Sequence, residues 1–133
     1  MQITMLYAGL TGLLLLVLSI RIIALRRGPS GPSLGDGGNP DLARRIRAHG
    51  NLVEYAPVIL LMMALLESAG QPGWAIHAAG IALIVARLMH AYALSKPSGS
   101  VVGRVGGTAI TLLLLGITGI WCVLAFGLSN PSI

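Results

Sequence analysis

The first twenty residues, Met1 to Ile20, carry no charged side chain, and neither does any position from Val105 to Ile133. At about 1.5 Å per residue, a helix of twenty residues is about 30 Å long, the thickness of one hydrocarbon core. Inside lipid every backbone N–H and C=O has to be paired within the segment or in a closed barrel, so runs of this kind fold as helices. A cleaved signal peptide is also apolar, but no basic stretch precedes this run and no small-residue cleavage site ends it, so it reads as a membrane anchor. Two further apolar segments lie between. One covers about Asn51 to Ala69, interrupted by Glu54 and Glu67, and the other Trp74 to Leu94, with His77, Arg87 and His90 inside it. The sequence predicts an all-α membrane four-helix up-down bundle, one domain over 1–133, with helices at about 2–25, 40–69, 73–95 and 104–128.

The connections fit this division. Arg26 to Asn39 is rich in Gly, Pro and Ser and reads as a loop. Asn39, Pro40 and Asp41 form a helix start: a capping side chain, a proline at the first helical position and an acid at the positive end of the dipole. Gln71, Pro72 and Gly73 read as a tight turn, and Ser95 to Gly103, with Pro97 and Gly99, as the last connection.

Only 10% of the residues are charged, against about one quarter in a soluble domain. The net charge of +5 is unevenly placed: Arg26, Arg27, Arg44, Arg45 and Arg47 flank the first loop, Lys96 and Arg104 the third, and the second loop and C-terminal tail carry no cation. By the positive-inside rule, loops one and three are cytoplasmic and both termini lie outside, a multi-pass topology in the cell membrane. Trp74 and Trp121 then fall near the outer interface. Nucleic acid is not an expected partner, because the basic cluster is accounted for by topology. Cys122 is the single cysteine, so an intrachain disulfide or cysteine-based zinc site is excluded, and no metal site is expected.

Ionisable groups at membrane depth are costly and mark functional sites. At 100° per residue, Arg44, Arg47, Asn51 and Glu54 fall within about 80° of one another on the second helix. Their stripe descends from the cytoplasmic surface toward Pro57, whose missing N–H can bend the helix or free a carbonyl. Arg87 and His90 occupy the same end of the third helix, Arg21 ends the first and Arg104 precedes the fourth. Taken singly, Arg21, Arg44 and Arg104 read as headgroup anchors, and His90 reads equally as a packing residue or a ligand contact. Arg87, deeper, is expected to offset a buried carboxylate, with Glu54 as its candidate partner. Together these groups form a strongly positive site suited to a small anion, since guanidinium forks match carboxylates. Glu67 and Gln71, by the outer turn, are expected to be solvated. His77 and Cys122 read as packing residues, and Gly106, Gly107, Gly116 and Gly119 as positions of close helix approach.

The run Arg47-Ala-His-Gly-Asn-Leu-Val-Glu54-Tyr-Ala-Pro57, preceded by Gly35-Asp-Gly-Gly38 and followed by Arg87-Leu-Met-His90, resembles the MAPEG family, the membrane-associated proteins of eicosanoid and glutathione metabolism. The resemblance covers nearly the whole chain, and the Arg-x-x-x-Asn-x-x-Glu stripe is its most specific element. It implies a homotrimer of four-helix subunits in the lipid bilayer, with glutathione bound between subunits near the cytoplasmic face. Carried over by residue, Arg47, Asn51 and Glu54 would hold the glutathione backbone, Glu54 taking the α-amino group. Arg87 and His90 would support or contact the tripeptide, Arg104 would be the catalytic group that stabilises the thiolate, and Arg21 would close the site. Three positions depart from the pattern. Val105 replaces the serine found after that arginine in eicosanoid-forming members, Leu94 replaces a tyrosine, for which Tyr92 is the nearest substitute, and Thr108 replaces another.

The reading that follows is a glutathione-dependent transferase or peroxidase acting on hydrophobic small molecules, with glutathione as co-substrate. Two alternatives stand beside it. One is a non-catalytic lipid- or glutathione-binding protein of the same fold, favoured by Val105 and Leu94. The other is a small proton-coupled multidrug exporter, disfavoured because Glu54 lies among arginines that would repel a cation.

Overall fold

The computed structural model describes residues 1–28, 31–95 and 100–129. Four α-helices follow one another: α1 over Gln2–Arg26, α2 over Pro40–Ser68, α3 over Gly73–Leu94 and α4 over Val101–Ser129. Among the described residues there is no strand. Each helix is long and apolar enough to cross a membrane, and the chain is a multi-pass membrane protein. Lys96, Pro97 and Gly99 of the third connection and Asn130 to Ile133 of the tail lie outside the described residues.

The ends of α2 follow from local chemistry. Asn39 accepts from the backbone N–H groups of Asp41 and Leu42 at 2.9 and 3.2 Å, with Pro40 in the first turn, so an otherwise orphaned pair of donors is satisfied. At the other end Gly70 has φ +74°. Its N–H donates to the Glu67 carbonyl and that of Gln71 to the Leu66 carbonyl, both at 3.1 Å, the paired bonds of a Schellman stop that only a left-handed residue permits. Pro57 sits inside α2, which continues through it, leaving the Val53 carbonyl without its usual helical donor.

The core is small-residue and aliphatic: Leu52, Ala56, Ile59 and Met63 of α2 cluster with Ile76, Ala79 and Leu83 of α3, with Tyr7 and Leu18 of α1 in the same cluster. α1 packs on α2 and α3, α4 packs on α3 and α2, and among the described residues α1 and α4 do not meet. Leu13, Ile20, Leu113, Ile117 and Val123 remain exposed, the apolar surface that meets lipid.

Glu67 corrects the expectation of a solvated side chain. Its carboxylate accepts from Ile3 N–H and Thr4 N–H, both at 2.9 Å, and from the Thr4 hydroxyl at 2.7 Å, and it lies 3.3 Å from the Met1 ammonium. It is the N-terminal cap of α1, supplied from the far end of α2, where free N–H groups and the positive dipole end favour an anion. Gln71 likewise is engaged, accepting from the Trp121 indole at 3.0 Å. His77, expected to pack, lies 3.0 Å from the Tyr7 hydroxyl through Nδ1. The last helix begins at Val101, so Arg104 stands in its first turn.

Candidate functional site

Along α2, Arg47, Asn51 and Tyr55 recur at i, i+4 and i+8 and therefore share one face. From α3, His90 and Leu94 turn toward the same space, and from α4 come Arg104, Val105, Thr108, Ala109 and Leu112. These side chains line a groove of about 570 Å³, within the size range of about 300–1,000 Å³ typical of small-molecule sites. Its polar groups gather at the end nearest the first and third loops. Its other wall, Val105, Ala109 and Leu112, is a single apolar stripe of α4.

Arg87 lies behind this wall and is 3% exposed. One terminal nitrogen donates to both the backbone oxygen of Asn51, at 3.2 Å, and its side-chain oxygen; the other donates to the Gly107 carbonyl, at 3.1 Å, and to the Thr111 hydroxyl. The expected carboxylate partner is thus corrected. Glu54 stands apart, 3.7 Å from Arg47 across the α2 surface, and no ion pair to Arg87 forms among the described residues. Neutral acceptors on two neighbouring helices do that work, and the positive charge stays uncancelled. Arg87 therefore ties α2, α3 and α4 together directly behind the groove. The geometry requires close approach of α3 and α4: a Cβ on Gly107 would stand 2.7 Å from the Ala86 carbonyl oxygen and 3.0 Å from His90 Cβ. Of the four glycines named for packing, Gly107 fits that role most closely, whereas a Cβ on Gly116 would meet nothing within 4 Å among the described residues.

His90 is 6% exposed. Its Nδ1 lies 3.4 Å from the Arg104 carbonyl and 3.3 Å from Thr108 Oγ1, while Nε2 is buried without a partner among the described residues.

Arg47, Asn51, His90 and Arg104 thus come together in one groove, and Glu54, outside its lining, lies 3.7 Å from Arg47. Four expected residues do not line the groove: Glu54, Arg87, which lies behind it, and two that stand elsewhere. Arg21 donates to the Ser95 hydroxyl at 2.9 Å on the α1 side of the bundle, and Tyr92 is 62% exposed and lies outside the groove lining. Two residues along a helix turn by about 200°, which carries Tyr92 away from His90. Tyr55 and Thr108 are the groove residues that the polar-residue reading passed over. Tyr55 could have been found from its four-residue spacing to Asn51, and Thr108 from the same spacing to Arg104. A second hollow, of about 300 Å³, opens among Leu65, Leu66, Ala69, Cys122, Ala125 and Phe126. Its walls are apolar apart from the Cys122 thiol, which lies 3.8 Å from the Met62 carbonyl.

Comparison with known proteins identifies the family. The family model described as MAPEG family matches residues 4–124. The chain is 41% identical over 91 residues to inner membrane protein YecN of Escherichia coli strain K12, covering 68% of this chain and 69% of that protein. The same identity and coverage hold for inner membrane protein YecN of Escherichia coli O6:H1 strain CFT073.

Proposed function

The chain belongs to the MAPEG family, and from that premise we propose that it is a glutathione-dependent membrane transferase that joins the glutathione thiol to hydrophobic electrophiles. The observation that carries this reading is the groove itself. Arg47 and Arg104 face a space of about 570 Å³ from α2 and α4, the uncancelled charge of Arg87 lies behind it, and the carboxylate of Glu54 lies 3.7 Å from Arg47. Glutathione brings two carboxylates, one ammonium and one thiol, which matches that donor set in sign. Arg47 takes a carboxylate through a charge-assisted bond. Glu54 takes the ammonium, and the Asn51 amide, its oxygen held by Arg87, offers its NH₂ group. Arg104 favours the thiolate, the reactive form of the sulfur. The stripe Val105, Ala109 and Leu112 receives the apolar partner from the bilayer, and holding both reactants in one groove supplies the proximity term.

The half-exposed state of Glu54 and Arg47, at 49% and 66% of their side-chain surface, supports an assembly. Counting about 20 residues back from Ser68, one bilayer thickness, puts Glu54 within the apolar span. A carboxylate facing lipid there is costly, and a neighbouring subunit of a homotrimer closes the groove over it. The positive-inside reading places this end in the cytoplasm and both termini outside.

Isothermal titration of glutathione into the detergent-purified chain, with conjugation of a generic aryl halide, tests the proposal. Absence of binding to an intact assembly overturns it. Val105 and Leu94, apolar where hydroxyls would surround the sulfur, favour a second reading: a lipid- or glutathione-binding protein without turnover. Binding without conjugation selects that one.

A further inference from the structure

One ring nitrogen of His90 is committed and the other is not, and the commitment fixes the tautomer. Nδ1 lies 3.4 Å from the Arg104 carbonyl oxygen. A carbonyl only accepts, so Nδ1 carries the hydrogen. Thr108 donates its own proton to that carbonyl at 2.9 Å and so turns a lone pair toward the ring, 3.3 Å away. In a neutral imidazole held this way Nε2 is a bare acceptor. It is itself covered, on a side chain whose other atoms line the groove, and no donor among the described residues reaches it, so a ligand in the groove meets it by displacing the groups that cover it. The ring is therefore oriented by α4 in the manner of a base held by a carbonyl, with its basic nitrogen unmet.

Resting on the glutathione reading above, we propose that His90 is the proton acceptor for the bound thiol, with Nε2 taking the S–H proton while Arg104 faces the sulfur. The S–H bond breaks, the proton forms an N–H bond at Nε2, and the electron pair stays on sulfur. The thiolate then forms a C–S bond to the electrophile as the bond to its leaving group breaks, and the leaving group departs with that electron pair. The imidazolium returns its proton to the leaving group or to water. The groups around the ring are Arg47, Asn51 and Tyr55 from α2, Arg87 from the preceding turn of α3, and Arg104 and Thr108 from α4. Moving the proton from sulfur to nitrogen leaves the net charge of the groove unchanged. The guanidiniums that oppose an imidazolium hold the new thiolate beside it.

The chain has three histidines, His49, His77 and His90. A His49→Gln, His77→Gln chain labelled with ¹⁵N-histidine and assembled in detergent isolates the His90 signals. Without ligand, NMR should show Nδ1 protonated and Nε2 bare. At neutral pH glutathione should protonate Nε2, and S-methylglutathione, which has no thiol proton, should not. In parallel, His90→Gln should weaken calorimetric binding by about 3- to 10-fold, the worth of one hydrogen bond. It should lower conjugation by about 10²- to 10⁴-fold, the worth of a positioned base, and abolish the ultraviolet thiolate band of the bound tripeptide. A bare Nε2 in the glutathione complex, or a thiolate band unchanged in His90→Gln, overturns the assignment and leaves the transferase reading standing. Failure of the unsubstituted chain to bind glutathione overturns both. If His90→Gln does not assemble, the contrast between the two tripeptides on the labelled chain decides alone.

Discussion

Arg87 grips Asn51 twice, through its backbone oxygen at 3.2 Å and through its side-chain oxygen. Because a guanidinium offers donors only, the atom of the amide turned toward α3 is oxygen and the NH₂ group is left for the groove. Arg87→Leu should strand the acceptors of Asn51, Gly107 and Thr111, at a cost of about 1–3 kcal/mol for each group left unpaired. Arg87→Lys should recover little, since one ammonium cannot reach both α2 and α4 in a fork. Thermal unfolding in detergent checks both. Asn51→Asp is the separating variant. It keeps an oxygen on Arg87, so the melting temperature should hold, but it removes the donor and adds negative charge, so glutathione binding should fall more than tenfold, a loss of about 1.4 kcal/mol or more.

Arg47 and Arg104 share the groove but should fail differently. Arg47→Ala removes one charge-assisted bond made before and during reaction, so KM for glutathione should rise by about 10- to 100-fold with kcat little changed. Arg104→Ala removes the charge facing the developing thiolate, so kcat should fall by a comparable factor with a smaller change in KM. Steady-state kinetics with glutathione varied at saturating electrophile separates the two patterns. Equal losses in both parameters for both variants would show that the arginines do not divide the work in this way.

Glu67 makes a prediction confined to the opposite end of the bundle. Glu67→Ala removes the acceptor for Ile3 and Thr4 and should cost about 0.5–2 kcal/mol, the range for losing a helix cap. Amide exchange at Ile3 and Thr4 should accelerate, while glutathione binding in the distant groove should be unaffected. Unaltered exchange at those two amides would mean that the cap does not hold α1.

Much of the fold was legible because it rests on two strong one-dimensional signals, uncharged stretches of bilayer length and the Asn39-Pro40-Asp41 start. The stripe of Arg47 and Asn51 was legible for the same reason, since helical spacing alone puts both on one face. The partner of Arg87 was not. A sequence advertises opposite charges, whereas this guanidinium is held by two carbonyls, an amide and a hydroxyl, none of which stands out among apolar residues. Glu67 was missed because the amide of Thr4 that it caps lies 63 residues before it in the chain, a relation that only the antiparallel arrangement of α1 and α2 creates. Arg21 and Arg104 share one end of the bundle, and no property of either residue says that α1 and α4 stand on opposite sides of it.

Gly107→Ala tests whether the close approach of α3 and α4 sets the geometry of His90. A methyl 2.7 Å from the Ala86 carbonyl oxygen cannot be accommodated without moving one helix, and such overpacking costs about 1–3 kcal/mol. The melting temperature should drop. Any residual fold should bind glutathione more weakly, because Arg104 and Thr108 move with α4 away from His90. A crystal structure of the variant with the His90 to Arg104 distance unchanged would refute the coupling.

The Tyr7 ring lies directly over the Cα of Gly80, so that a Cβ there would overlap the ring. Neither position is then free to drift alone. Any side chain at 80 demands a smaller one at 7, and the loss of the tyrosine also releases His77 from its hydroxyl. Across descendants of a common ancestor the two sites should change jointly or not at all. A record of paired substitutions there would mark which lineages keep α1 seated on α3 in this way.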